Sequence, residues 1–281
     1  MSVFFAFIVS LGWFVGYYYE NIVILPIAII FSLVMNIASY WYSDKISLAL
    51  AGAHPANRLD NVELYRIVEN LSITAGLPLP GIYIIDDMSP NAFATGRDKD
   101  HAAIAVTTGL IRMLDKTELE GVIAHELSHI GNRDTLLQTV VVVLVGFVSI
   151  LAHFFTRSMF LGGNRRDNDR GQLGAVLAIV GVVFVILSPI IAQIIQLAIS
   201  RKREFLADAS GALMTRYPEG LASALLKISS YSQPLKNANN ATAHLFISNP
   251  FGPKAYRGLA KLFMTHPPTE ERVAALRGMK A

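Results

Sequence analysis

Four long apolar runs constrain the fold of this 281-residue chain more than any other feature. They cover residues 3–19, 22–42, 135–161 and 173–199. A helix of roughly 20 apolar residues crosses about 30 Å of hydrocarbon, so each run is long enough, or nearly so, to span a bilayer. The alternative, helices buried in a soluble core, is less favoured because the third and fourth runs have no polar face. The pattern therefore predicts a membrane protein with four transmembrane helices.

Composition supports this prediction and excludes several classes of function. Hydrophobic residues make up 53% of the chain, which is a high share for a soluble protein. The net charge of +3 is small and dispersed, so no nucleic-acid partner is expected. The chain has no cysteine, which excludes disulfides and thiolate ligands. Any metal site must therefore be built from histidine and carboxylate side chains.

The apolar runs divide the chain into four predicted parts. Residues 1–42 form an N-terminal transmembrane hairpin and residues 135–199 a second one, whereas residues 43–134 and 200–281 have the composition of a soluble domain. Aromatic residues end the first two runs, as interfacial anchors do in membrane helices. The first twenty residues contain no Lys or Arg, so a cleaved signal peptide is not expected.

Basic residues near the ends of the runs predict the orientation of the hairpins. Lys45 follows the second run and residues 201–203 follow the fourth, so the positive-inside rule places the soluble parts in the cytoplasm. The connection at 157–170 carries four arginines, which resist translocation. Either Asp167 and Asp169 in this short loop make crossing tolerable, or the second hairpin does not cross fully. We expect it to cross.

The soluble parts show helix and strand patterns. Residues 62–75 carry apolar residues at helical spacing on one face, which predicts an amphipathic helix. Gly76 and Pro78 end that helix. Residues 82–85 and 102–107 have the composition of short strands. The small residues of 91–96 lie between them and suit extended backbone.

The sequence His125-Glu126-Leu127-Ser128-His129 is the strongest motif in the chain. On a helix it places two imidazoles one turn apart on the same face, where both can bind one Zn²⁺. Glu126 then lies near the open position of the metal and can take a proton from a water there. The alternative is an ordinary helix with two surface histidines.

The flanks of this motif favour a helix. Thr117 and Glu120 are spaced as a capping box, and Gly131-Asn132 is a typical helix end. Between these points an apolar face recurs at helical spacing, formed by Leu119, Val122, Ile123, Leu127 and Ile130.

A second helical segment supplies the third candidate ligand. Glu204 and Asp208 are four residues apart, so both carboxylates lie on one face of a helix. If Glu204 binds the metal, Asp208 is placed to accept the distal N–H of a ligand histidine, for which we favour His125. The alternative is a solvated face that pairs with Arg201 or Arg203. Three protein ligands would leave one coordination position open, as a catalytic zinc requires.

Together these motifs resemble the HtpX family of membrane metalloproteases, which is related to the CAAX prenyl proteases. The resemblance is carried by the two N-terminal runs, Pro90 to Gly96, the His125–His129 motif, Arg203 to Asp208, and His266 to Arg272. It covers nearly the whole chain. It implies a mainly helical membrane protein with a small β-sheet, a zincin-like catalytic domain divided between residues 43–134 and 200–281, and four transmembrane helices.

The resemblance also implies an activity and a setting. The implied activity is that of a zinc endopeptidase with a gluzincin-type site. One Zn²⁺ per subunit is expected to be held by His125, His129 and Glu204, with Glu126 acting first as base and then as acid. The expected location is the inner (plasma) membrane of a prokaryote, with a cytoplasmic catalytic face in contact with the lipid bilayer. The expected role is membrane-protein quality control under stress, with protein substrates, above all membrane proteins, and with self-cleavage on release from the membrane.

Further site residues follow from the same resemblance. His266, and after it Arg272, are candidates to stabilise the oxyanion, although His266 is otherwise a loop residue before two prolines. The strand residues Asn91, Ala92, Phe93 and Ala94 are expected to pair with the substrate backbone by β-augmentation. The motifs also lie so close to the apolar runs that the metal should sit within about 10 Å of the bilayer surface.

Three rival interpretations remain at the level of the sequence. A CAAX prenyl protease would share the chemistry, but four spans are few for the larger chamber expected there. A transporter or scaffold with an incidental motif would not need stoichiometric zinc. A binding protein with structural zinc is disfavoured by Glu126 and by the open coordination position.

Overall fold

The computed structural model of the chain describes residues 2–139, 141–142, 201–239, 241–252 and 267–279. The predicted second hairpin lies almost entirely outside the described residues. His266 also lies outside them.

The described residues are mainly helical and include one small sheet, as the sequence predicts. The helices are α1 (Ser2–Tyr18), α2 (Ile24–Ala51), α3 (Val62–Ala75), α4 (Thr108–Met113), α5 (Lys116–Gly131), α6 (Arg201–Thr215), α7 (Pro218–Ser230) and α8 (Thr269–Gly278). The strands are β1 (Ala53–Pro55), β2 (Gly81–Ile85), β3 (Ala92–Gly96) and β4 (Ala102–Thr107). The predictions of α3, β2, β3 and β4 are confirmed, whereas β1 and α4 had no clear sequence signal.

The sheet is mixed, and its strands β3 and β4 are buried on both faces. Its strand order is β1-β2-β4-β3; β2 runs parallel to β4, and the other two pairs are antiparallel. Ile104 and Val106 of β4 pack in one apolar core with α3, α5 and α7, while Ala103 and Ala105 pack in a second core with the C-terminal end of α2. Since successive side chains point to opposite faces, β4 is apolar from Ala102 to Val106, and only its last residue, Thr107, is polar.

Helix α5 is the central helix of the main core, and two glycines let its neighbours approach it closely. A Cβ on Gly121 of α5 would lie 2.6 Å from the backbone nitrogen of Leu221 in α7. A Cβ on Gly211 of α6 would lie 2.9 Å from the backbone nitrogen of His125. Only glycine therefore allows α6 and α7 to pack backbone against backbone with α5.

The N-terminus of α5 differs from the sequence prediction. The N-cap is Asp115, not Thr117, and the reciprocal partner is Glu118, not Glu120. Asp115 accepts the Glu118 N–H at 2.9 Å, and Glu118 accepts the Asp115 N–H at 2.9 Å. The tertiary structure favours this register, because Glu118 is buried and its carboxylate also accepts hydrogen bonds from Ser223 and Lys227 of α7.

The length and apolar character of the described helices bear on the membrane prediction. Within the described part of the chain, no single helix is both long and apolar enough to cross a bilayer. The two halves of α2, Ile24–Ala38 and Tyr40–Ala51, reach the necessary length and apolar character only when they are taken together. They are bent by 67° relative to each other. The prediction of four transmembrane helices stays a prediction.

The buried carboxylate of Glu118 should contribute to stability more than the partly exposed carboxylate of Glu120 does. We expect Glu118→Gln to lower the free energy of unfolding by about 1–3 kcal/mol, because a buried group loses charge-assisted hydrogen bonds. Glu120→Gln is the matched control, since Glu120 only approaches the exposed Lys116 at 3.9 Å and should change stability by less than about 0.5 kcal/mol. Denaturant unfolding of both variants in detergent measures the difference, and equal effects would contradict the observed cap.

Candidate metal centre

Two helices bring three candidate metal ligands together in the interior. His125 and His129 lie one turn apart on α5, and Glu204 lies in the first turn of α6. All three side chains are buried, and each offers one ligand atom within 4.8 Å of the others. The contact at Gly211, one α6 turn beyond Asp208, holds this part of α6 against α5.

The spacing of these atoms suits one zinc ion. The Nε2 atoms of His125 and His129 are 3.2 Å apart, and two nitrogens that share a tetrahedral zinc lie about 3.3 Å apart. The Glu204 carboxylate lies 3.8 Å from Nε2 of His125 and 3.6 Å from Nε2 of His129. Two imidazoles and one carboxylate form a donor set found in zinc peptidases, and it leaves a fourth position open.

The ring of His125 is oriented by a buried ion pair. Its Nδ1 lies 2.9 Å from Oδ1 of Asp208, and Arg272 of α8 donates two hydrogen bonds to the same carboxylate, at 2.7 and 2.9 Å. This bidentate contact fixes the carboxylate, which accepts the Nδ1–H of His125 and leaves Nε2 to face Glu204. The sequence places Arg272 near the metal as an oxyanion candidate; in the structure its guanidinium is engaged with Asp208.

The ring of His129 is oriented by a second pair that the sequence analysis missed. Its Nδ1 lies 3.1 Å from Oδ2 of Asp134, and Arg203 of α6 donates to the other oxygen of Asp134 at 3.0 Å. The chain turns back after α5 because Arg133 adopts a left-handed conformation with φ of 61°. Since that conformation is unusual for arginine, no local sequence signal predicted that Asp134 would return to His129. Each candidate ligand histidine is thus held by an aspartate that is itself held by an arginine.

Glu126 lies beside the three ligands and beneath strand β3. Its carboxylate is buried and accepts a backbone hydrogen bond from Ala94. Burial raises the pKa of Glu126 to about 7, and the negative charge of Glu204 adds to this effect. A carboxyl group with a pKa near neutrality can both accept and return a proton at physiological pH.

The neighbours of the two histidines shift their pKa values in opposite directions. Burial lowers the pKa of His125 to about 4, and the positive charge of Arg272 acts in the same direction. Burial also disfavours the charged form of His129, but the hydrogen bond with Asp134 and the charge of Glu204 outweigh burial and raise its pKa to about 9. These shifts arise from the protein groups alone, and a metal cation would favour the neutral form of both rings.

The candidate substrate strand lies at the edge of the sheet, next to Glu126. Ala92 and Ala94 face the main core, and Phe93 faces the second core. Asn91 is also buried, and its side-chain amide donates to the backbone oxygen of Ser248 at 2.9 Å. Among the four predicted substrate-strand residues, Ala94 contacts Glu126 through its backbone.

The remaining described histidines lie outside the cluster. His54 and His101 are exposed and pair with Asp86 and Asp98. His244 is buried, and its Nε2 lies 2.9 Å from the backbone oxygen of Gln138. None of the three belongs to the cluster that offers metal ligands.

Comparisons with known proteins agree on one family. The sequence profile of peptidase family M48 matches residues 58–280. The protease HtpX homolog of Thermoanaerobacter pseudethanolicus is 49% identical over 276 residues, which are 96% of this chain and 90% of that protein. The protease HtpX homolog of Pyrococcus furiosus is 47% identical over 274 residues, again 96% of this chain and 90% of that protein.

A solved structure shows the same fold. The crystal structure of S. mikatae Ste24p matches with a TM-score of 0.52 at 20% sequence identity. The match covers 96% of this chain and 62% of the Ste24p chain, so this chain is similar to about three fifths of that protein. The family profile, the relatives and the His-His-Glu cluster agree, and the chain belongs to peptidase family M48, among the HtpX proteases, which are zinc metalloproteases.

Proposed function

We propose that this chain is a membrane-embedded endopeptidase in which His125, His129 and Glu204 hold Zn²⁺ and Glu126 is the general base. The observation that carries this proposal is the position of Glu126. Its carboxylate lies on the same helix as both histidines and contacts the edge strand at Ala94. A water and an extended peptide can therefore meet at one point between Glu126 and the three ligands.

The protein groups have separate roles in this mechanism. Bound zinc would polarise the scissile carbonyl and make an adjacent water more acidic. Glu126 takes the proton of the attacking water and then returns it to the leaving amine, so that the C–N bond breaks without release of an unstable anion. Burial raises the pKa of this carboxyl in the protein alone, whereas a neighbouring zinc cation would lower it, so Glu126 would be ionised and able to accept the proton.

The two aspartate–arginine pairs orient the ligands and do not take part in proton transfer. Asp208 with Arg272 holds His125, and Asp134 with Arg203 holds His129. In each pair the carboxylate fixes which ring nitrogen faces the metal. His266 stays a proposed oxyanion donor on sequence grounds.

Strand β3 is the proposed substrate-binding edge. Its outer side lies next to Glu126; Asn91 immediately precedes the strand, and Ala92, Phe93 and Ala94 are its first three residues. Recognition through backbone hydrogen bonds would tolerate many substrate sequences, which suits a protease of misfolded proteins in stress-linked quality control.

The proposed setting is the inner membrane of a prokaryote, with the catalytic domain on the cytoplasmic side. We propose residues 1–42 and 135–199 as hydrophobic hairpins and residues 43–134 and 200–281 as the two parts of the catalytic domain. Support comes from large apolar side chains that α1 and α2 leave exposed, among them Trp13, Ile30, Ile37 and Trp41. A lipid environment would cover such surfaces. Membrane proteins would then be the natural substrates.

Removal of the base should separate metal binding from catalysis. We expect Glu126→Gln to keep stoichiometric zinc and to lower cleavage of an unfolded protein substrate by about a hundredfold or more, because the proton acceptor is lost. Glu120→Gln, on the same helix but away from the site, is the control and should cleave normally. Zinc content and proteolysis are measured on purified protein in detergent. Full activity of Glu126→Gln would rule out its role as the base.

Loss of either carboxylate partner should weaken zinc binding. We expect Asp208→Asn and Asp134→Asn each to raise the dissociation constant for zinc about 10- to 100-fold, because the ligand rings lose their oriented acceptors. Competition with a chromophoric chelator measures this constant, and the exposed Asp60→Asn is the control. A normal zinc affinity in Asp134→Asn would show that the His129 contact is only structural.

Distance from the bilayer should limit cleavage. We expect the enzyme in liposomes to cleave a membrane-anchored substrate best when the cleavable segment lies close to the lipid surface. Substrates with the same segment at increasing linker lengths, analysed by gel electrophoresis, test this expectation, and the same substrates in detergent are the control. Efficient cleavage confined to the longest linkers would contradict the proposed position of the site.

A further inference from the structure

The outer edge of β3 is already occupied by another part of the same chain. In the antiparallel pairing of β3 with β4, Thr107 N–H donates to the Asn91 oxygen, so the backbone groups of Asn91 face β4. The backbone groups of the next residue, Ala92, therefore face outward. The Ala92 oxygen accepts a hydrogen bond from Ile247 N–H at 2.9 Å.

Residues 241–248, here called the cover segment, hold this position through several contacts. The Asn91 amide both donates to the Ser248 oxygen at 2.9 Å and accepts from the Ser248 N–H at 3.2 Å. The ring of Phe246 packs edge-on against Phe93, with ring centroids 5.0 Å apart. All five residues of strand β3, Ala92–Gly96, are buried.

The cover segment also touches the residues that organise the metal centre. Arg272, which holds Asp208, donates to the Ile247 oxygen at 3.4 Å. Ala94, which contacts Glu126, lies two residues from Ala92 on the same edge, and that spacing is about 7 Å in a strand. Ile247 therefore pairs with the sheet within one strand repeat of the catalytic carboxyl.

A substrate peptide that pairs with β3 next to Glu126 needs the same backbone groups. An extended peptide uses every second residue of an edge strand, so a peptide bound at Ala94 also reaches Ala92. The Ala92 oxygen and the Asn91 amide are engaged by Ile247 and Ser248. Substrate and cover segment cannot occupy this edge at once.

We propose that the cover segment is an intramolecular inhibitor that must exchange for substrate on β3 before a peptide bond can be cut. This inference rests on the proposed function, in which β3 binds substrate. The cover segment has turns and no helix or strand, so its displacement does not require a regular element to unfold. Residues 241–247 are buried, so the closed state predominates. Because only the open state binds substrate, closure raises the apparent KM by the inverse of the open fraction.

A reversible link between the cover segment and β3 tests the proposal. The chain has no cysteine, so Asn91→Cys with Ser248→Cys introduces one defined thiol pair. A short bis-thiosulfonate reagent closes this pair without the strict geometry of a direct disulfide, and mass spectrometry confirms the link. We expect the linked protein to keep zinc but to lose at least about tenfold in cleavage, and to regain its activity with reductant.

A second linked pair serves as the control. Ser89→Cys with Gln233→Cys joins the sheet to a neighbouring segment where the Ser89 hydroxyl donates to the Gln233 oxygen at 3.1 Å. This link leaves the edge of β3 free to open and should not change cleavage. Cleavage by the wild-type enzyme in the same assay tests the proposed function itself. An inactive wild type would therefore contradict the proposed function, whereas an active wild type and a fully active linked protein would contradict inhibition by the cover segment.

A single substitution that weakens the cover gives the opposite effect. Ser248→Pro removes the N–H that Asn91 accepts, so the closed state is less stable. We expect KM to fall about 2- to 10-fold with kcat little changed, as the loss of one hydrogen bond from the closed state predicts. Full cleavage by the linked Asn91/Ser248 pair, or an unchanged or higher KM in Ser248→Pro, would overturn the proposal.

Discussion

The contact between the backbones of α5 and α6 is the constraint on which the rest of the site depends. At Gly211 there is no room for a Cβ beside the backbone of His125, so α6 lies as close to α5 as two helices can. This approach places Glu204 within reach of both ligand histidines and Asp208 beside Nδ1 of His125. A wider separation would leave these charged groups buried without partners, which costs several kcal/mol for each ion.

Two arginines compensate the aspartates that orient the ligand histidines. The Arg272 guanidinium compensates Asp208, and Arg203 compensates Asp134. Attraction to Arg272 and His125 outweighs burial and lowers the pKa of Asp208 to about 2, so this carboxylate stays ionised at physiological pH. These residues come from three separate parts of the sequence, 125–134, 203–208 and 272. Because the site exists only when the regions meet, zinc binding should also stabilise their association.

Local patterns predicted much of this arrangement. Three patterns depend only on neighbours along the chain: the spacing in the His125–His129 motif, the helical periodicity in residues 62–75 and the two short strands. The structure contains those elements. The carboxylate pair at 204 and 208 could be placed on one helix face for the same reason. Resemblance to a family indicated that these separate segments meet.

The sequence could not reveal features that depend on distant contacts or unusual backbone conformations. Asp115 and Glu118, not Thr117 and Glu120, form the capping box of α5, because Ser223 and Lys227 lie against Glu118. Asp134 reaches His129 only through the left-handed Arg133, and Ile247 pairs with Ala92 from more than a hundred positions along the chain. The two hydrophobic hairpins remain predictions from composition and length.

The central claim is that His125, His129 and Glu204 are the protein ligands of one zinc ion. X-ray absorption at the zinc edge, recorded on purified wild type and on Glu204→Gln, tests it most directly. The account predicts two imidazole ligands and additional oxygen ligands in the wild type, with a weakened or altered zinc environment in the variant. A wild-type spectrum without two imidazoles, or identical spectra and zinc affinities for the two proteins, would contradict it.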